Sequence, residues 1–405
     1  IYTLSLHDAL PISCSNNKSR HYKDLYKSRK YSFSEIYEKV NKPLFDVAVV
    51  GGYHWSNYGD EITYYSLFAL LRSWGYDSIM VNWDKSSNWW TKKEPILFER
   101  NPYPCYSLLS PAVDERELLS IGKMAKCYIS GSGIYFNPLI SNEINNLQLL
   151  EWVEDDKTKI AYSIAWGIDS IDNYPYDVFR QKKALKQFFA VGVRETSGLD
   201  IVRKTLGFSE AIQVLDPVLV TPNNVWKEIC NPPGIENYIC AYVLDNMTPD
   251  LIVFLNKLKT ITGLSYRIIS RYERCDELIN NWKYMEYKPS LERWLGFIKY
   301  SDYVLTDSFH CICLCILFHK QFSVIIGNKK WAETRITGIL DTFGLADRIV
   351  ADSTDLERQV KTKIDYKRVD EKLNFMKEES LKWFKSALEM TVRNNECDRN
   401  NTSQI

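Results

Sequence analysis

His310 has the residue type and the setting that best suit proton chemistry near neutral pH. It stands in Tyr303-VLTDSFH-CICLCILF-His319, which reads as a strand, a tight turn and an apolar helix. That pattern places Asp307, Ser308, Phe309 and His310 in the turn or the first helical turn. Ser308 suits an N-cap, and the free backbone N–H groups beside it favour an anion. A histidine hydrogen-bonded into its own lobe would carry the same sequence, and the residues alone leave both readings open. His319 closes the helix, where a cation suits the dipole, and is expected to be structural.

Arg194 ends the run Phe189-AVGV and begins RETSG, a second strand-to-helix turn. There its fork of donors suits a carboxylate or a phosphate. A salt bridge to Glu195 or a neighbouring acid is the plainer alternative. Asp216-Pro217 ends another strand, and the proline turns the chain out of the sheet, so Asp216 reads first as a turn cap. Gly51-Gly52 and Asn57-Tyr-Gly-Asp60 form a glycine-containing loop before a helix, without the GxGxxG spacing of a dinucleotide site. Gly131-Ser-Gly133 signals close backbone approach and nothing more specific. Lys329, Lys330 and Arg335 follow a strand ending at Ile326, as a positive edge or as a solvated charge run.

Strands and helices must hold these positions, and their alternation argues for an α/β fold with parallel sheets covered by helices on both faces. Strands are expected at Asp46-VAVV-Gly51, Ser78-IMVNW, Cys127-YIS, Lys159-IAYSIAW, Phe189-AVGV and Ala211-IQVL, enough for one doubly wound lobe. Thr221 to Asn237, with Pro222, Pro232, Pro233 and Gly234, reads as a linker or a long turn. The alternation restarts at Tyr238-ICAYVL. It runs through a helix at Pro249 to Thr262, Tyr266-RIIS, a helix at Leu291 to Tyr300, Tyr303-VLT, a helix at Ser308 to Phe318 and Phe322-SVII. The expected organisation is a Rossmann-like lobe over 43–222, a second over 237–353 carrying His310, and a charged helical tail over 354–405. Two such lobes facing each other gather their strand C-terminal ends around a shared cleft.

Composition removes several function classes. Lys+Arg and Asp+Glu are both 51, so no global field recruits nucleic acid or an anionic membrane. The 10 cysteines include Cys311, Cys313 and Cys315, whose spacing is not a zinc pattern; they read as buried, reduced thiols of a cytoplasmic protein. No carboxylate or histidine cluster has metal-ligand spacing, so no metal and no bound cofactor is demanded. No run reaches the roughly 18 apolar residues of a membrane span. The start, Ile1 to Ser13, lacks the basic opening of a signal peptide. It resembles an in-frame translation of sequencing-adapter DNA and is expected to be non-native. Residues 14–42 are polar and are expected to form a flexible arm or one short helix. The 12 Trp and 26 Tyr offer ample material for stacking on sugar rings.

Taken together, the blocks GGYHWSNYGDE (51–61), SGSG (130–133), SIAWG (163–167), GVRETSG (192–198), LDPVLV (215–220), SDYVLTDSFH (301–310) and ETRITGILDTFGLADRI (333–349) resemble the polysaccharide pyruvyl transferase family in order and spacing. The resemblance implies a GT-B-like pair of Rossmann-type lobes. It also implies transfer of the enolpyruvyl group of phosphoenolpyruvate onto two hydroxyls of one sugar, giving a cyclic ketal. His310 matches the family's catalytic histidine, Arg194 the arginine of the GxR block, and Arg335 a basic position of the last block. The sequence departs from the family at Ser308, where many members carry arginine, and at Cys311, where glycine commonly follows the histidine. Donor binding is then expected from Arg194, Ser308 with its helix amides, and Arg335. Acceptor contacts are expected from Tyr53, Asn57 and Asp60.

The expected partners are phosphoenolpyruvate and a glycan or lipid-linked oligosaccharide, the latter drawing the enzyme to the periphery of the inner membrane, although no amphipathic anchor is evident. Two other functions fit the same architecture. One is a glycosyltransferase with a nucleotide-sugar donor; the other is a non-catalytic glycan-assembly protein.

Overall fold

A computed structural model describes residues 43–50, 57–81, 115–140, 147–244, 249–270, 283–326 and 330–401. Tyr53, Gly51, Gly52, Lys329 and the expected arm over 1–42 lie outside the described residues. The first lobe runs β1 (Phe45–Val50), α1 (Tyr58–Ser73), β2 (Ser78–Val81), α2 (Glu115–Ile121), β3 (Ala125–Ser130), β4 (Thr158–Ile164), α3 (Pro175–Leu185), β5 (Ala190–Val193), α4 (Thr196–Asp200), β6 (Ile212–Gln213) and α5 (Pro217–Val220). The chain continues with α6 (Asn223–Ile229), β7 (Tyr238–Tyr242), α7 (Pro249–Thr262), β8 (Ser265–Ser270), β9 (Met285–Tyr287), α8 (Leu291–Lys299), β10 (Tyr303–Thr306), α9 (Phe309–Leu317), β11 (Gln321–Ile325), α10 (Lys330–Phe343), β12 (Ile349–Val350), α11 (Ser353–Lys361) and α12 (Tyr366–Asn401).

Among the described residues the strands form two six-stranded sheets, ordered β2-β1-β3-β4-β5-β6 and β12-β11-β10-β7-β8-β9. Every recorded pairing is parallel, as between β1 and β3, where Val47 faces Cys127 and Val50 faces Ser130. The central strands are apolar runs buried along their length, which is what a parallel sheet covered on both faces requires. β9 and β12 left no mark in the sequence, because three and two residues are too few to show a period.

The Pro/Gly-rich stretch expected to be a linker or a long turn does connect the lobes, and it is packed between them. It contains α6, whose Trp226 is fully buried beside Tyr65. Around it α1 and α5 of the first lobe and α8 and α9 of the second share one apolar core. Tyr58 stacks on Trp294 at 4.8 Å and donates its hydroxyl to the Pro289 carbonyl.

The terminal segment, expected as a tail, is also integral. Leu373 of α12 joins the interlobe core, while Phe384, Ala387 and Leu388 pack on the first sheet against Val47, Val49 and Tyr162. An amphipathic helix of that length must bury its apolar face, and the first sheet offers the uncovered surface.

Candidate active site

In each sheet the strand order reverses once, between β1 and β3 and between β7 and β10. Loops leaving the strand C-termini diverge at such a point and open a crevice. The two crevices meet. From the first come Asn57, Gly59 and Thr63, after β1, and Ser132, after β3; from the second comes the turn Asp307 to His310, after β10. Asp307 ties the second crevice together by accepting from the Leu244 N–H at 2.6 Å, just past β7.

Ser308 caps α9, its hydroxyl accepting from the Cys311 N–H at 3.4 Å, so the expected cap is present and its oxygen is engaged. His310 follows in the first helical turn and reaches the first lobe. Its Nε2 lies 3.0 Å from the Thr63 hydroxyl and 3.7 Å from Asp216 Oδ2. The side chain is 13% exposed. The ring fits because residue 59 is glycine: a Cβ there would stand 2.1 Å from Nδ1.

Asp216 does more than cap. Its Oδ1 accepts from the Val218 N–H at 3.0 Å, which starts α5. Its Oδ2 accepts from Arg194 Nη1 at 3.2 Å and from the Ser132 hydroxyl at 3.3 Å, and faces His310. Burial alone would raise the carboxyl, but His310, Arg194 and the Val218 amide outweigh it and hold it at about 2. Arg194 does not reach into an open cleft. It is buried, paired with Asp216, 3.9 Å from Glu195, and lies over the Phe309 ring at 4.3 Å. Its Nη2 and Nε make no hydrogen bond. It lines a small cavity with Gln213, Phe309 and Arg335. Arg194 and Arg335 are thus brought together, with Asp216 between Arg194 and His310.

The backbone around Asp216 accounts for two glycine-bearing blocks. A Cβ on Gly131 would lie 2.2 Å from the Tyr162 carbonyl, and one on Gly133 would lie 2.4 Å from the Tyr135 ring. Close approach was the expectation there, and it delivers the Ser132 hydroxyl to Asp216. Glu195 accepts from the amides of Trp166 and Gly167 at 3.0 and 2.6 Å, locking the SIAWG turn to the RETSG turn.

Asn57 and Asp60 pair with each other at 2.8 Å at the start of α1, and Asn57 accepts from the Gly59 N–H as its cap. Burial first, then the charge of Asp60, pushes the nearby Tyr135 phenol well above its ordinary range. His319 pairs with Asp370 and stacks on Tyr366, the structural role expected of it. Cys311, Cys313 and Cys315 are buried free thiols, and burial raises Cys313 and Cys315 well above the ordinary range. Thr63 and Tyr135 went unnoticed in the sequence, and Ser132 was seen only as the middle of the glycine turn Gly131-Ser-Gly133. Among the described residues no three His, Cys, Asp or Glu side chains gather as a metal site, and no helix is long and apolar enough to cross a membrane.

Residues 57–328, more than half of the chain, match the family model described as polysaccharide pyruvyl transferase. Arabidopsis thaliana UGT89C1 in complex with quercetin is similar in fold at 10% identity, covering 86% of this chain and 99% of that chain with a TM-score of 0.50. Its complex with UDP-L-rhamnose gives the same score with 98% of that chain covered. The wall teichoic acid polymerase TagF aligns at 12% identity over 94% of this chain and 95% of that chain, with a TM-score of 0.47. At 10% identity the likeness to UGT89C1 bears on fold alone, here the two-lobed GT-B arrangement. No curated protein matches the chain.

Proposed function

The chain belongs to the polysaccharide pyruvyl transferase family, and from that premise we propose that it moves the enolpyruvyl group of phosphoenolpyruvate onto two hydroxyls of one sugar. The product is a cyclic pyruvate ketal on a surface polysaccharide or its precursor, made in a bacterial cytoplasm. One observation carries the proposal: His310 stands at the N-terminus of α9, where the two crevices meet. In this scheme its imidazolium protonates the donor's methylene carbon, and C2 becomes an oxocarbenium-like centre. A sugar hydroxyl bonds to C2 and returns a proton to the histidine. Phosphate then leaves with the electrons of its C–O bond, and the second hydroxyl closes the ketal while its proton passes to phosphate. The balance is one ketal and one inorganic phosphate per donor.

A donor bearing both phosphate and carboxylate needs converging cations. Arg194, Arg335 and the amides beside Ser308 are assigned to it. Support comes from the Arg194 Nη2 and Nε, which lack hydrogen bonds, and from the cavity that both arginines line. The acceptor, a glycan or lipid-linked oligosaccharide at the inner membrane surface, is assigned to Tyr53, Asn57 and Asp60.

Purified protein should release phosphate from phosphoenolpyruvate only with a suitable glycan present, and mass spectrometry should find a pyruvate ketal on the product. His310→Asn should slow release by about 10²- to 10⁴-fold. Silence across a broad hexoside panel would sink the proposal. Thermal stabilisation by nucleoside diphosphates, and not by phosphoenolpyruvate, would replace it with sugar transfer from a nucleotide-sugar donor. A cellular function untouched by His310→Ala would favour a non-catalytic role in glycan assembly.

A further inference from the structure

We propose that the first lobe sets the protonation of the second lobe's histidine: Thr63 and Asp216 hold His310 with Nε2 protonated, which leaves Nδ1 to carry the transferable proton. Only the use of that proton rests on the pyruvyl-transfer reading.

The Thr63 hydroxyl has one hydrogen, which goes to the Gly59 carbonyl at 2.8 Å, one helical turn back. The same oxygen lies 3.0 Å from His310 Nε2. An oxygen that has given its hydrogen away can only accept, so Nε2 must bear one. Asp216 makes the same demand independently. Its Oδ2 sits 3.7 Å from Nε2, too far for a hydrogen bond and close enough for attraction at a largely buried site. Among the described residues, the two groups that address Nε2 are therefore both acceptors. The opposite nitrogen lies over Gly59, where a Cβ would stand 2.1 Å from it, so the glycine leaves room for a hydrogen on Nδ1.

The charges around the pair agree with this assignment. Arg194 shares Asp216 Oδ2 and prevents a full negative charge from bearing on the ring alone. Arg335 shares the cavity wall with Arg194, and Asp60 stands on the first turn of α1. From α9 itself comes the Cys313 thiol, which burial keeps protonated. Thr63 and Asp216 belong to the first lobe and His310 to the second, so the ring reaches this state only when the lobes are docked. Both are positioning residues: they act through His310.

Ring-nitrogen NMR of the full chain tests the assignment without any substrate. In alkaline solution the neutral His310 ring, identified by its absence in His310→Asn, should show Nε2–H and a bare Nδ1. Thr63→Val should mix the two tautomers, and Thr63→Ser should restore the wild-type pattern. A wild-type ring protonated at Nδ1 instead would overturn the proposal. In turnover, Thr63→Val should lower kcat about tenfold or more with little change in KM for phosphoenolpyruvate, an effect seen only when the transition state loses the contact. Asp216→Asn should weaken the preference for Nε2–H in the same NMR measurement, with Asp216→Glu restoring part of it. An unchanged tautomer would remove Asp216 from the scheme, and if Asp216→Asn fails to fold, the Thr63 pair decides. Should the ring show the expected tautomer while phosphoenolpyruvate is never consumed, the positioning stands and the reaction assigned above falls.

Discussion

At the scale of single residues, two positions decide how the histidine behaves. Gly59 sits inside a helix, where alanine is ordinarily favoured by about 0.5–1 kcal/mol. Here the Cβ of Gly59→Ala would lie 2.1 Å from His310 Nδ1 and 2.9 Å from Cγ and Cε1. The ring must then leave Thr63, so kcat should collapse while the melting temperature moves by only a few degrees. Calorimetry beside a phosphate-release assay checks both halves. Asp216 links the site to acid stability. Its carboxyl is held at about 2, below the ordinary value near 4, so folding favours the ionised form. Its contribution is complete above about pH 4 and is lost as pH falls towards 2, on the order of 2 kcal/mol. Asp216→Asn should therefore flatten the acid limb of the stability curve measured by urea unfolding, and an unchanged limb would contradict the pairing.

At the scale of elements, α12 is the piece whose role its own composition hid. Phe384 is fully buried and stacks on Tyr162 at 4.2 Å, and Trp383 lies against the Gly192 backbone in β5. Phe384→Ala should cost about 3–5 kcal/mol, the range for emptying a large aromatic site in a core. Denaturant unfolding would reveal it, and a loss below about 1 kcal/mol would mean the helix is not docked. Because β5 leads directly into Arg194, the helix that ends the second lobe also supports the floor of the site.

At the scale of the whole molecule, the lobes are joined by a continuous apolar core and not by a loose hinge. Tyr58, Trp226, Trp294 and Phe309 all belong to that core, and it surrounds the helix bearing His310. The lobes should therefore unfold together. Trp294→Ala should shift the fluorescence and far-ultraviolet transitions equally, by about 3–5 kcal/mol. Two separated transitions would show that each lobe stands alone.

The sequence by itself determined the two doubly wound lobes, most strand positions, the N-cap at Ser308 and the prominence of His310 and Arg194. Those features are local: apolar periodicity, cap chemistry and strand-to-helix turns are written within a few consecutive residues. Only the tertiary structure decided that Arg194 is bound to Asp216, that Thr63 meets His310 across 247 positions of chain, and that the terminal helix returns to the first sheet. No period or motif encodes such pairings. They arise when helices of the two independently legible lobes bury their apolar faces against each other, and that packing brings one lobe's carboxylate and hydroxyl to the other lobe's histidine.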